Sequence, residues 1–129
     1  MDFDINKTLD EIEGTSFKES ELDSNVIIKC HELRKKKLID FTVEDLRMMI
    51  GQKIGLEYLV PLALETLSTN PFVEGDLYYG DLLEQILRVD KHFWNQNDEL
   101  SFELNEIVSE VKLTIETISS RLKDYECFS

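Results

Sequence analysis

The sequence predicts an all-α fold, a single-domain bundle of five to six helices spanning residues 1–129. Three observations carry this expectation. Apolar residues recur at helical spacing, helix-start signatures precede the apolar runs, and no stretch sustains the alternation of a half-buried strand. A chain of this length buries roughly two-thirds of the surface it would expose unfolded, enough for one core without metal or disulfide staples. No linker separates two compositions, and no repeat is visible.

Taken in order, Thr8 with Glu11 forms a capping-box pattern for a short helix that stops at Gly14. Residues 15–23 are polar and read as a loop. Ser24 caps a second helix whose apolar face is Val26, Ile27, Cys30, Leu33 and Leu38. Thr42 and Asp45 make another box, opening a helix with Val43, Leu46, Met49 and Ile50 inward. From Leu56 to Leu67 almost every residue is apolar, as in a helix buried on most sides. Pro61 inside that run lacks the amide of the helix ladder, so it must kink the helix or open a new one. Asn70-Pro71 ends the element, Glu74 to Asp81 is loop-like, and a helix follows with Leu82, Leu83, Ile86 and Leu87, extending toward Phe93 and Trp94. The last element is the clearest. Leu100, Leu104, Ile107, Val108, Val111, Ile115, Ile118 and Leu122 fall at offsets 0, 4, 7, 8, 11, 15, 18 and 22, a stripe over about six turns.

Charge narrows the function. The 27 acids and 14 bases leave a formal net charge of −13. Such a surface repels phosphate backbones and anionic bilayers, which excludes nucleic acid and membrane as direct partners and favours a basic protein. The N-terminus carries acids where a secretory signal needs basic and apolar residues. The longest apolar run, Tyr58 to Leu64, is far short of the ~20 residues that span a bilayer. With only Cys30 and Cys127 there is no disulfide framework, and the expected compartment is the cytoplasm.

Catalytic patterns are weak. Asp2-x-Asp4-x-Asn6-x-Thr8-x-Asp10-x-x-Glu13 copies the ligand spacing of a calcium loop, but Lys7 stands where the turn needs glycine. His31-Glu32 begins like a zinc-protease helix, yet position 35 is Lys, and the second histidine, His92, is distant in sequence. Both histidines read as surface or helix-flank residues. There is no nucleophile elbow and no phosphate-cradling glycine loop. The expectation is a non-enzyme with no cofactor and no metal. Arg34-Lys35-Lys36-Lys37 reads as a cationic end that stabilises a helix dipole. The most suggestive segment is Glu74-Gly75-Asp76-Leu77-Tyr78-Tyr79-Gly80-Asp81, three acids around two adjacent tyrosines. Tyrosines give recognition loops rigid contact area with a hydrogen-bonding tip. Glu74, Asp76, Tyr78, Tyr79 and Asp81, with Asp98 and Glu99, are therefore the candidate partner-binding residues.

Over residues 20–94 the sequence resembles the immunity proteins of bacterial contact-dependent growth inhibition (CDI) systems. The resemblance runs through Asp40-Phe41-Thr42-Val43-Glu44-Asp45-Leu46-Arg47, Ile50-Gly51-Gln52, Tyr58-Leu59-x-Pro61-Leu62-Ala63-Leu64, Glu74-Gly75-Asp76-x-Tyr78-x-Gly80-Asp81 and Phe93-Trp94. It implies a cytoplasmic protein that binds the toxic C-terminal domain of a large exported effector, commonly a nuclease, and neutralises it. An RNase is the favoured toxin, and acidic occlusion of its basic cleft is the expected mode, because a nuclease must be basic where it grips phosphates. Two other classes compete: an acidic adaptor or nucleic-acid mimic binding an endogenous basic protein, and a metal-dependent carboxylate enzyme.

Overall fold

The structure, a computed structural model, describes residues 2–14 and 24–126. The expected loop at 15–23 and Cys127 lie outside the described residues. The fold is all-α. Among the described residues are seven α-helices: α1 (Leu9–Glu13), α2 (Asn25–Leu33), α3 (Val43–Gly51), α4 (Leu56–Thr69), α5 (Asp81–Arg88), α6 (Lys91–Asn95) and α7 (Asp98–Glu126). A 3-10 turn at Leu38–Asp40 joins α2 to α3. The count exceeds five to six because α6 is a separate short helix, started by Asp90 accepting from the Phe93 amide.

Both capping boxes form. Thr8 Oγ1 accepts the Glu11 amide while Glu11 accepts the Thr8 amide, and Gly14 closes α1 in the left-handed conformation. Thr42 and Asp45 reciprocate in the same way at α3.

Core-facing positions follow the helical period. Leu46, Met49 and Ile50 of α3 meet Leu59, Ala63, Leu64 and Leu67 of α4, with Leu82 and Ile86 of α5 completing the centre. Helix α3 packs against α2, α4 and α5, and α4 in turn holds α7, which also carries α6. The N-terminal segment is stitched to the α2–α3 connection by backbone bonds. The Ile39 amide donates to Ile5, Leu38 to Lys7 and Asp10 to Arg34, at 2.8, 3.0 and 3.2 Å. Phe3 stacks edge-on against Tyr58 of α4 at 5.1 Å, and Leu9 fills the core.

Four sequence expectations change or narrow. Helix α2 ends at Leu33, and Leu38 enters the core from the 3-10 turn rather than from α2. Val26 and Ile27, expected inward, are exposed, so only the C-terminal half of α2 is held. Of the two alternatives for Pro61, the opening of a new helix is ruled out: α4 runs through it from Leu56 to Thr69. The cost is confined to the Glu57 carbonyl, which loses its helical donor. Finally, the long stripe of α7 is used only in part. Ile107 and Val111 are buried, but Ile115 and Leu122 are 55% and 57% exposed. At about 1.5 Å per residue α7 runs about 43 Å, so its last three turns extend beyond the helices it packs on.

Candidate functional site

The segment between α4 and α5 is built around one carboxylate. Asp81, the first residue of α5, is only 1% exposed. Its Oδ1 accepts the Gly75 amide at 2.8 Å, and its Oδ2 accepts the Leu77 and Tyr78 amides at 3.1 and 3.5 Å. An isolated antiparallel bridge between Glu74 and Tyr79 closes the turn, and the Gly80 amide donates to the Val73 carbonyl at 3.3 Å. The inward amides are thus satisfied by Asp81, a first-turn acid that also suits the positive end of the α5 dipole.

Helix α3 braces the loop from below. Glu44 Oε1 accepts the Asp76 amide at 2.9 Å and Arg47 Nε at 2.6 Å, while Arg47 also donates to Glu44 Oε2. Arg47 Nε lies 3.8 Å from Asp81 Oδ2, so one guanidinium serves two carboxylates from adjacent helices. The Arg47 bond holds the Glu44 carboxyl below the usual carboxylate range despite partial burial, with help from the Asp76 amide. Gly75 is required by space. A Cβ there would sit 2.8 Å from Glu44 Oε1 and 3.0 Å from Asp81 Oδ2.

This frame pushes the other candidate side chains outward. Glu74 and Asp76 are exposed, Tyr78 is 45% exposed and Tyr79 79% exposed. Asp81 differs from the rest of the candidate set, since its carboxylate faces the loop's own backbone. Neither Glu44 nor Arg47 stands out in the sequence as a loop support. Their signal, an i, i+3 acid–base pair on α3, shows nothing of a contact 32 residues away.

Asp98 and Glu99 open α7 and are both exposed. Glu99 lines a groove of about 1260 Å³ between the N-terminal segment, α4 and α7, which no residue of the 74–81 loop lines. The structure therefore gathers Glu74, Asp76, Tyr78, Tyr79 and Asp81 into one feature and places Glu99 in another. Glu103, Glu106 and Glu110 share that groove with Glu99, at offsets 0, 4, 7 and 11, a helical-face spacing that the sequence already contained.

The other sequence candidates have structural duties. Thr8 of the calcium-like pattern caps α1, while Asp10 and Glu13 bind Arg34 at 2.8 and 2.6 Å. The basic run starts at the C-cap of α2, as expected of a cationic helix end, and it also clamps α1 and α3: Arg34 is buried, and Lys36 reaches Asp45 at 2.6 Å. His31 is a core residue, 6% exposed, rather than a surface one; His92 is exposed on α6. Cys30 is buried, and burial pushes its thiol pKa up. Among the described residues no helix is long and apolar enough to cross a membrane.

The family model for CDI immunity proteins matches residues 11–104, a span that holds the 74–81 loop, its supports on α3 and Glu99. No curated protein and no solved structure matches the chain. A match over most of the chain, agreeing with the family resemblance carried by the Asp40–Arg47 and Glu74–Asp81 stretches, means that this helical protein belongs to the CDI immunity proteins, with an immunity function against a CDI toxin.

Proposed function

We propose that the chain works in the cytoplasm as a stoichiometric inhibitor, without catalysis of its own, and that its cognate toxin domain is a nuclease, an RNase before a DNase. In this reading the 74–81 loop meets the toxin's cationic substrate cleft. Asp76 and Glu74 offer carboxylates to phosphate-gripping lysines and arginines, and Tyr78 and Tyr79 cover the cleft with rigid aromatic area. Asp98 extends the acidic surface at the start of α7. Asp81 acts through the loop, as a positioning residue.

One observation carries the reading. The loop holds its amides inward on Asp81 and Glu44 while leaving Tyr79 79% exposed, so the backbone that carries its binding groups is already braced without a partner. Pre-organisation of this kind removes part of the entropy cost of association. The net charge of −13 adds electrostatic steering toward a basic surface.

The test is co-purification with the toxin domain encoded beside this chain, followed by toxin assays on transfer RNA, ribosomal RNA and DNA. Inhibition should saturate at one chain per toxin. Asp76→Ala with Tyr78→Ala should speed dissociation, each costing about 2 kcal/mol or more if they are hot spots. A toxin that keeps full activity in excess chain would end the proposal, and a double variant of wild-type affinity would remove the loop from it.

A further inference from the structure

We infer that the groove between α4 and α7 is a second docking surface for the toxin domain, and that it takes an amphipathic segment bearing lysines and arginines. The inference rests on the toxin-binding reading above. Glu57 and Glu65 of α4 and Glu99, Glu103, Glu106 and Glu110 of α7 line the groove, with Asp2 at its N-terminal edge and, among the described residues, no lysine or arginine. Phe3, Ile12, Tyr58, Leu100 and Ile107 supply apolar lining between the carboxylates.

The charge here is not compensated by the chain's own bases. The acids that tie helices together do meet such bases, as in Asp10 and Glu13 with Arg34, and Asp45 with Lys36. Among the described residues none of the groove carboxylates is in an ion pair. On α7 the spacing 0, 4, 7, 11 makes each neighbouring pair of glutamates an i, i+3 or i, i+4 contact of like charge, which weakens a helix. Pro61, also in the lining, deprives the Glu57 carbonyl of its helical donor and adds another electronegative group. Burial, followed by the Glu57 and Glu13 carboxylates, pushes the Tyr58 phenol pKa up, in keeping with this field.

The layout selects the occupant. The α7 glutamates are spread over 11 residues, about 16 Å or three turns, and among the described residues no cluster converges enough to hold a metal ion. A row of carboxylates over apolar side chains matches a partner element of similar length that carries cations at helical spacing beside an apolar face. Nucleic acid is repelled by the same row.

Binding and folding therefore pull in opposite directions at these positions, which gives the test. The full chain and the triple variant Glu103→Gln/Glu106→Gln/Glu110→Gln are compared alone and with the purified cognate toxin domain. The free variant should melt at the same or a higher temperature, its affinity by calorimetry should fall about tenfold or more, and its affinity should depend less on salt. A photo-cross-linker at position 103 should capture a toxin segment rich in lysine and arginine. A lower melting temperature would assign these glutamates to the fold and overturn the inference. So would wild-type affinity in the triple variant while the unmodified chain still neutralises the toxin, an outcome that leaves the proposed function standing. An unmodified chain that does not bind the toxin overturns both.

Discussion

Replacing Asp81 with alanine tests the central claim that one buried carboxylate organises the 74–81 loop. The change removes acceptors from the Gly75 and Leu77 amides at 2.8 and 3.1 Å, and from the weaker Tyr78 bond at 3.5 Å. A bond to a charged acceptor contributes about 1.5–3 kcal/mol. Freed loop amides recover some of this from water, so about 1 kcal/mol for each of the two short bonds is the better figure. Arg47 loses one of its two carboxylates, while Glu44 is relieved of a like charge, and these effects partly offset. The total is about 2–3 kcal/mol, or about 10 °C in melting temperature for a domain of this size. Asp81→Asn keeps an acceptor for Gly75 but sets an NH2 group against the Leu77 amide, and should recover about half of the loss. Urea unfolding and thermal melts of wild type, Asp81→Ala, Asp81→Asn and the exposed control Asp76→Ala form the assay, with the control within about 0.5 kcal/mol of wild type. An Asp81→Ala protein melting within about 2 °C of wild type would refute the reasoning, as would an asparagine variant no better than alanine.

Stability should also fall in acid through Asp45. Burial would raise its carboxyl, but the Lys36 bond at 2.6 Å and the Thr42 amide outweigh it and hold the pKa below its ordinary value. A folded-state pKa below the unfolded value of about 3.9 contributes stability at neutral pH that is lost as pH drops below about 4 through the folded pKa. Asp45→Asn should flatten that part of the stability–pH curve in urea titrations at stepped pH. Truncation after Ser119 removes α7 positions that are exposed from 120 to 125 and should cost less than about 1 kcal/mol, whereas Ile107→Ala, in the buried half, should cost about 2–4 kcal/mol by chemical denaturation. Gly75→Ala should destabilise the loop, because its Cβ would stand 2.8 Å from Glu44 Oε1; faster amide exchange at residues 75–78 would report it.

Much of this was legible without coordinates. The boxes at Thr8–Glu11 and Thr42–Asp45 are local patterns, complete within four residues, and both form as read. The seams at Leu46–Met49–Ile50 and Leu82–Leu83–Ile86 are likewise local, since helical period alone decides which residues share a face. The apolar stripe of α7 shows the limit. Its period continues past Val111 to Leu122, yet only its first half finds helices to cover it, and no spacing rule specifies where a neighbour ends. The basic run follows the end of α2 as read, but its pairing was hidden for the same reason: Arg34 binds Asp10 of α1, 24 residues earlier.

By itself, then, the sequence determined the helical class, the helix starts, the acidic balance and the family resemblance, all properties of residue identity and short-range spacing. The tertiary structure decided that Asp81 turns inward on Gly75 and Leu77, that Glu44 and Arg47 brace a loop about thirty residues away, and that glutamates of α7 meet those of α4 across one groove. These depend on which helices come together, and side-chain contacts between distant segments are fixed by packing in three dimensions, which no local pattern encodes.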